Sequence, residues 1–148
     1  ILFRSEHISF YTRLLEGNYP DTDRLIPTEF NTEATFNVAN LRFAMERARL
    51  LSNATQNGTV KLEFKNGVVS SHVHSPEVGR VNEEIDTSAV SGEDLSISFN
   101  PTYLIEALKA IDSEQVVIRF ISSVRPFTLV PEGNEQGFIQ LITPVRTN

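Results

Sequence analysis

Phe99-Asn100-Pro101-Thr102-Tyr103-Leu104-Ile105-Glu106-Ala107-Leu108-Lys109, read on to Val116-Val117-Ile118-Arg119-Phe120, decides the fold. Leu95, Ile97 and Phe99 alternate as a half-buried strand does. Asn100 leads into a helix with Pro101 at its first position, where a missing N–H costs nothing. Leu104, Leu108 and Ile111 form the buried stripe of that helix, and Val116, Ile118 and Phe120 alternate after it. The same plan stands earlier in the chain. Phe36-Asn37 lies 63 positions before Phe99-Asn100, and Val60-x-Leu62-x-Phe64 lies 56 positions before Val116-x-Ile118-x-Phe120. Strand, helix and a three-stranded meander occur twice, which predicts an α+β architecture with a pseudo-twofold repeat and both helices on one face.

The flanking stretches fit this frame. Thr32 to Phe36 reads as a strand, and Asn37 as the N-cap of a helix, because its side chain can accept from a free amide of the first turn. Val38, Leu41, Met45, Ala48 and Ser52 then share one helical face. Asn57-Gly58 ends that stretch. Asn66-Gly67 is a hairpin turn, since both residues tolerate positive φ. Val69, Ser71 and Val73 continue beyond it, a further strand is expected over 78–85, and Ser91-Gly92 punctuates the chain. Two more strands are expected at 124–130 and 137–143. Residues 1–27 differ. Ile1–Arg4 and Ile8–Leu14 read as two strands around a Ser5-Glu6-His7 turn, and Gly17 to Asp21 as a loop. A lone hairpin is marginal in water, so its sheet should have other strands elsewhere.

With 148 residues the chain is expected to form about one domain. A domain of that size buries roughly 68–70% of its unfolded surface and needs no staples. The absence of cysteine excludes disulfides, Cys-ligated zinc, iron–sulfur clusters and thiol catalysis. The net charge of −6 argues against a free-standing DNA-binding module. No apolar run approaches the roughly 18–20 residues of a membrane helix, and no signal peptide is evident. The chain opens on Ile1 rather than Met, and is expected to be a piece of something longer.

Catalytic motifs are sparse. No phosphate-binding loop, dinucleotide fingerprint or nucleophile elbow is present. His72-x-His74 on a strand would project two imidazoles from one face, and Glu77 follows, so a small α+β enzyme or metal site around His72, His74 and Glu77 is one reading. Two exposed strand residues beside a turn is the blander one. The acids from Glu77 to Asp86 read as a charged edge strand rather than a carboxylate cluster. Asn53-Ala54-Thr55 and Asn57-Gly58-Thr59 match the glycosylation sequon, which matters only in a secreted protein. Arg42, Arg47 and Arg49 on the first helix and Lys109 on the second are either solvated charges or a mildly basic face able to tolerate a phosphate backbone.

Several stretches resemble one family in order and spacing. They are Leu14-Leu15-Glu16-Gly17-Asn18-Tyr19-Pro20-Asp21 with Arg24-Leu25-Ile26-Pro27, Arg47-Ala48-Arg49-Leu50-Leu51-Ser52, Pro76-Glu77, Glu83-Glu84-Ile85, Phe99-Asn100-x-x-Tyr103-Leu104, and Leu141-Ile142-Thr143-Pro144-Val145-Arg146. Together they resemble the β subunits of bacterial DNA polymerase III, the sliding clamps, and the Pro144–Asn148 tail resembles Gram-positive versions. The resemblance implies the DNA-clamp fold. It implies that 1–27 are the closing strands and linker of an incomplete middle domain, and 28–148 the third, C-terminal domain.

It also implies a cytoplasmic, non-catalytic processivity factor without a cofactor, which encircles duplex DNA without reading its sequence. The implied partners are the DNA polymerase III catalytic subunit, the clamp loader and other proteins bearing clamp-binding peptides. Carried over by position, the peptide pocket would hold Pro20, Arg24 and Leu25 in its deep apolar part. Asn100, Tyr103, Val124 and Pro126 would lie along the groove, and Leu141, Thr143, Pro144, Val145 and Arg146 would close it. Thr143 stands where many relatives have Met, and Pro126 where a small polar residue is common, so peptide preference should differ. Arg42, Arg47 and Lys109 are the implied DNA-facing residues. Leu50, Leu51, Glu77, Glu83 and Glu84 map to the head-to-tail seam of a homodimeric ring. The chain alone is expected to be a monomer, or to associate non-natively through an exposed edge. A generic partner-binding module without a nucleic-acid role is the remaining reading.

Overall fold

Each of the two main helices begins where an asparagine side chain turns back on the backbone. Asn37 Oδ1 accepts from the Asn40 N–H at 3.0 Å, and Asn100 Oδ1 accepts from the Thr102 N–H at 2.9 Å. Either bond satisfies an amide that the helix itself leaves unpaired. Asn100→Ala should therefore cost about 1 kcal/mol, read as a lower urea midpoint at unchanged slope.

The computed structural model describes residues 1–18, 21–52, 58–75, 79–134 and 137–146. The sequons at Asn53 and Asn57, and Pro20 and Glu77, lie outside them. In chain order, β1 (Leu2–Arg4) and β2 (Ser9–Tyr11) precede a short 3-10 turn at Thr22–Arg24. β3 (Thr32–Asn37) runs into α1 (Val38–Ser52), followed by β4 (Val60–Lys65), β5 (Val68–Ser75) and β6 (Gly79–Ile85). β7 (Ala89–Gly92) and β8 (Leu95–Phe99) lead to α2 (Pro101–Lys109), then β9 (Gln115–Phe120), β10 (Phe127–Pro131) and β11 (Gln140–Ile142).

The repeat is present, and its two halves exchange strands. β3 does not pair with the meander that follows it. It pairs antiparallel with β9, Phe36 opposite Val116. β8 in turn pairs with β4, Phe99 opposite Val60. One sheet therefore runs β11-β10-β9-β3-β7 and the other β6-β5-β4-β8. The residues whose spacing betrayed the repeat are the ones that meet across it. Asn66 (φ 52°) and Gly67 (φ 77°) form the β4–β5 turn, a mirror-image geometry that matches the strand twist.

The core sits between the sheets and the helices. Leu41, Ala44, Met45, Ala48 and Ser52 are the buried face of α1, and Leu104, Ile105, Ala107 and Leu108 that of α2. The two helices pack side by side, and α1 also packs on β3, β4, β5 and β6. Phe64 meets Phe120 at 4.9 Å between ring centroids, Phe120 meets Phe127 at 5.1 Å, and Phe127 meets Phe99 at 5.1 Å. This chain of rings passes from β4 through β9 and β10 to β8, joining the two sheets.

Four expectations need adjusting, the first being that the strand expected over Ile8–Leu14 spans only Ser9–Tyr11. β10 starts at Phe127 rather than 124, because Val124 lies in a turn and Pro126 has no amide to give a ladder. β11 shortens to Gln140–Ile142. Ser91-Gly92, read as punctuation, is the end of an edge strand, Ala89–Gly92, on β3. The β1–β2 hairpin forms, yet all its side chains are exposed, including Phe3, Phe10 and Tyr11.

Candidate functional site

Tyr103 and Glu106 are three residues apart on α2, and Ala107 is one further on. The apolar face of α2 is spent on the core, so Tyr103 and Glu106 stand on its outer side, with Tyr103 59% exposed. β11 lies beside them. It hangs on β10 through Phe127 opposite Ile142, Thr128 opposite Leu141 and Leu129 opposite Gln140. Ile142 is buried and fixes the strand, whereas Leu141 is half-buried and Thr143 exposed. Tyr103, Glu106, Ala107, Gln140, Leu141, Ile142 and Thr143 enclose a groove of about 350 Å³.

Ala107, Leu141, Ile142 and the Tyr103 ring give the groove apolar surface, and Glu106, Gln140 and Thr143 give it polar groups, a mixed lining that can take a short peptide with apolar anchors and fix its orientation. β11 is the terminal strand of its sheet, so an extended chain could also use its outer edge. The Glu106 carboxylate accepts from Lys109 Nζ at 3.2 Å.

The structure thus brings together three expected residues, Tyr103, Leu141 and Thr143, and places the others around or away from the groove. Arg24 is exposed and paired with Asp21 at 2.9 Å, and Leu25 is exposed; neither lines the groove. Asn100 spends its side-chain oxygen on the α2 cap. Val124 and Pro126 sit before β10. Pro144, Val145 and Arg146 follow β11, and the Val145 N–H donates to Ser98 O at 2.7 Å, which ties this segment to β8. Glu106, Ala107, Gln140 and Ile142 were not anticipated. The i+3 and i+4 spacing from Tyr103, and adjacency to Leu141, were the available signals.

The cations divide into two places. Arg42 and Lys109 line one groove of about 220 Å³ between the start of α1 and the end of α2. Arg42 Nε lies 3.9 Å from Glu46 Oε1, and its guanidinium stands 5.3 Å from the Phe43 ring centre. Arg47 faces the other way. It shares a groove of about 270 Å³ with Phe43, Glu83, Glu84 and Asp86. It donates to both carboxylate oxygens of Glu83, from Nη2 and, at 3.3 Å, from Nε. That hydrogen bond, helped by the charge of Glu83, holds the Arg47 guanidinium above its ordinary pKa. Arg47 therefore stands with the expected seam residues on β6. Leu50 is 71% exposed there, while Leu51 packs on the core.

His72 is held by three neighbours: Asn82 Oδ1 at 2.7 Å from Nδ1, Ser70 Oγ at 2.9 Å from Nε2, and Glu63 Oε2 at 3.3 Å from Nε2. Among the described residues no three His, Cys, Asp or Glu side chains are grouped to hold a metal ion. No helix of the described residues is long and apolar enough to cross a membrane.

Residues 23–146 match the family described as DNA polymerase III beta subunit, C-terminal domain. The chain is 79% identical over its whole length to the beta sliding clamp of Streptococcus pneumoniae and covers 39% of that protein. It is 41% identical over 147 residues to that of Staphylococcus aureus, again covering 39% of the relative. Among solved structures, the DNA polymerase III beta chain of S. pneumoniae superposes with a TM-score of 0.90 over 99% of this chain and 39% of that one. The sliding clamp of Bacillus subtilis does so with 0.86 at 39% identity, over the same shares of the two chains. The chain thus spans about two fifths of the length of these relatives. The small enzyme expected around His72, His74 and Glu77 finds no support in these relatives, and the His72 ring already spends both nitrogens on neighbouring side chains.

Proposed function

The chain belongs to the DNA polymerase III beta subunit family, in its C-terminal domain, and from that premise we propose that it works as part of a sliding clamp of bacterial replication. In this reading it catalyses nothing. It contributes one segment of a cytoplasmic, homodimeric ring around duplex DNA, and residues 1–27 belong to the middle domain while 28–148 form the third. Processivity comes from topology, so the DNA-facing surface needs only weak, sequence-independent phosphate contacts. Arg42 and Lys109, in one groove at the ends of the two helices, suit that role. Arg47, bonded to Glu83, suits the subunit seam together with Leu50 and Glu84. The exposed apolar hairpin of β1 and β2 suits burial against the remaining strands of a middle domain.

The observation that carries the tethering role is the groove between Tyr103 and β11. It suits the apolar anchors of peptides from the polymerase catalytic subunit, the clamp loader and other clamp-binding proteins. Arg24 and Leu25 would extend it from the middle-domain side. The test is an NMR titration of the labelled protein with a Gln-Leu-x-Leu-Phe peptide beside a scrambled control. Shifts should centre on Tyr103, Leu141 and Thr143. Tyr103→Ala should weaken binding roughly tenfold or more, the usual loss for an aromatic anchor at a recognition site. Equal binding of the scrambled peptide, or an unchanged affinity in Tyr103→Ala, would sink this assignment.

A further inference from the structure

We propose that the solvent face of the β6-β5-β4-β8 sheet is a docking site for an acidic, extended peptide segment of a partner protein. The surface is a shallow groove of about 540 Å³, separate from the one beside Tyr103. Lys61, His72, His74, Arg80, Asn82 and Ser98 line most of it, and no described lining residue is a carboxylate. The chain as a whole carries −6. Its fixed charges, Lys61 and Arg80, are both positive, a local reversal of sign on an acidic protein.

The strand register builds it in two rows. Ser98, Lys61, His72 and Asn82 are neighbours across β8, β4, β5 and β6. His74 stands opposite Arg80 in the next row. Residues two apart on a strand share a face and lie roughly 7 Å apart. An extended peptide repeats its own same-face side chains at that spacing. Carboxylates at alternate positions of such a peptide would meet Lys61 in one row and His74 and Arg80 in the next. The Arg80 guanidinium offers a planar fork for one of them.

The groove has a built-in competitor. Glu63, on the row behind, lies 3.7 Å from Lys61 Nζ and 3.3 Å from His72 Nε2. Glu84 follows in the same row, opposite Ser70. These carboxylates bound the cationic area to two rows. That extent suits a few acidic side chains, whereas a nucleic acid would carry its phosphates on over Glu63 and Glu84. The groove also adjoins the C-terminal segment, since Ser98 lines it and accepts from the Val145 N–H.

The experiment titrates the nitrogen-15-labelled protein with an acetylated (Glu-Asp)3 peptide, with its (Gln-Asn)3 counterpart, and with a short DNA duplex. Saturable amide shifts at residues 59–61, 72–74, 79–82 and 98 are expected from the acidic peptide alone. The double variant Lys61→Gln/Arg80→Gln should weaken that binding at least tenfold while keeping a dispersed spectrum. Glu63→Gln should tighten it severalfold by releasing Lys61. The proposal is overturned by equal shifts from the uncharged peptide or by the absence of saturable shifts. It is equally overturned by shifts centred on Arg42 and Lys109, or by a duplex that displaces the acidic peptide from this groove.

Discussion

Phe120→Ala is expected to lower the free energy of unfolding by about 4 kcal/mol, near the middle of the range for emptying a buried aromatic site. The ring is fully buried and touches Phe64 on one side and Phe127 on the other. Removing it takes out the middle of the only ring-to-ring path described between β4 and β10. The strands of both neighbouring rings are pinned by their own ladders, β10 by β9 and β11, and β4 by β5 and β8. The cavity therefore cannot collapse easily, so the cavity cost adds to the transfer cost. For a chain of this length that amounts to a fall in melting temperature on the order of 10 °C. Calorimetry or urea unfolding of the variant reads it. A loss under about 1 kcal/mol would mean that the sheets slide together over the gap. The same lesion should loosen the Tyr103 groove, because β11 is attached to the fold through β10. Peptide binding should weaken although no groove residue has changed.

Gly92→Ala should cost about 3 kcal/mol, from a single added methyl group. Gly92 ends the edge strand β7 with φ at 101°, a region that side chains rarely enter. A Cβ there would stand 1.9 Å from Asn31 O and 2.8 Å from Thr32 Cα. Those atoms are backbone and cannot swing aside. They are also held: the Glu93 N–H donates to Asn31 O at 3.1 Å, and Thr32 Oγ1 donates to Glu93 O at 2.7 Å. Gly67→Ala is the matched control. Its φ is also positive, at 77°, but nothing stands within 4 Å of the added carbon. It should cost only about 1–2 kcal/mol, the backbone part alone. Thermal melts of the two variants side by side separate steric exclusion from backbone conformation. Equal losses would show that the approach to Asn31 contributes nothing.

The candidate site was only partly legible. Tyr103, Leu141 and Thr143, singled out through the family resemblance, line one groove. Their groove partners Glu106 and Gln140 carry no motif and enter through helical spacing and strand adjacency. The cations were legible as charges but not as a surface. Arg42, Arg47 and Lys109 are alike in composition, yet Arg47 is five residues along from Arg42 and turns to Glu83 on β6. Its partner lies 36 residues away in the chain, beyond the reach of any local pattern.

What the sequence determined by itself was local. Alternation marked β4, β8 and β9, apolar spacing marked both helices, Asn37 and Asn100 marked their starts, and Asn66-Gly67 marked a turn. Each follows from backbone geometry and from side chains within a few residues. The repeat was legible for the same reason, because it is the same local pattern written twice. Only the tertiary structure decided that β3 pairs with β9 and β8 with β4. Strand edges are chemically alike, so the choice among them is made by which closure buries Phe36, Phe64, Phe99, Phe120 and Phe127 in one core. The edge strand β7 belongs to that same closure. It exists because β3 leaves an edge open and Gly92 lets the chain come close enough to Asn31 to fill it.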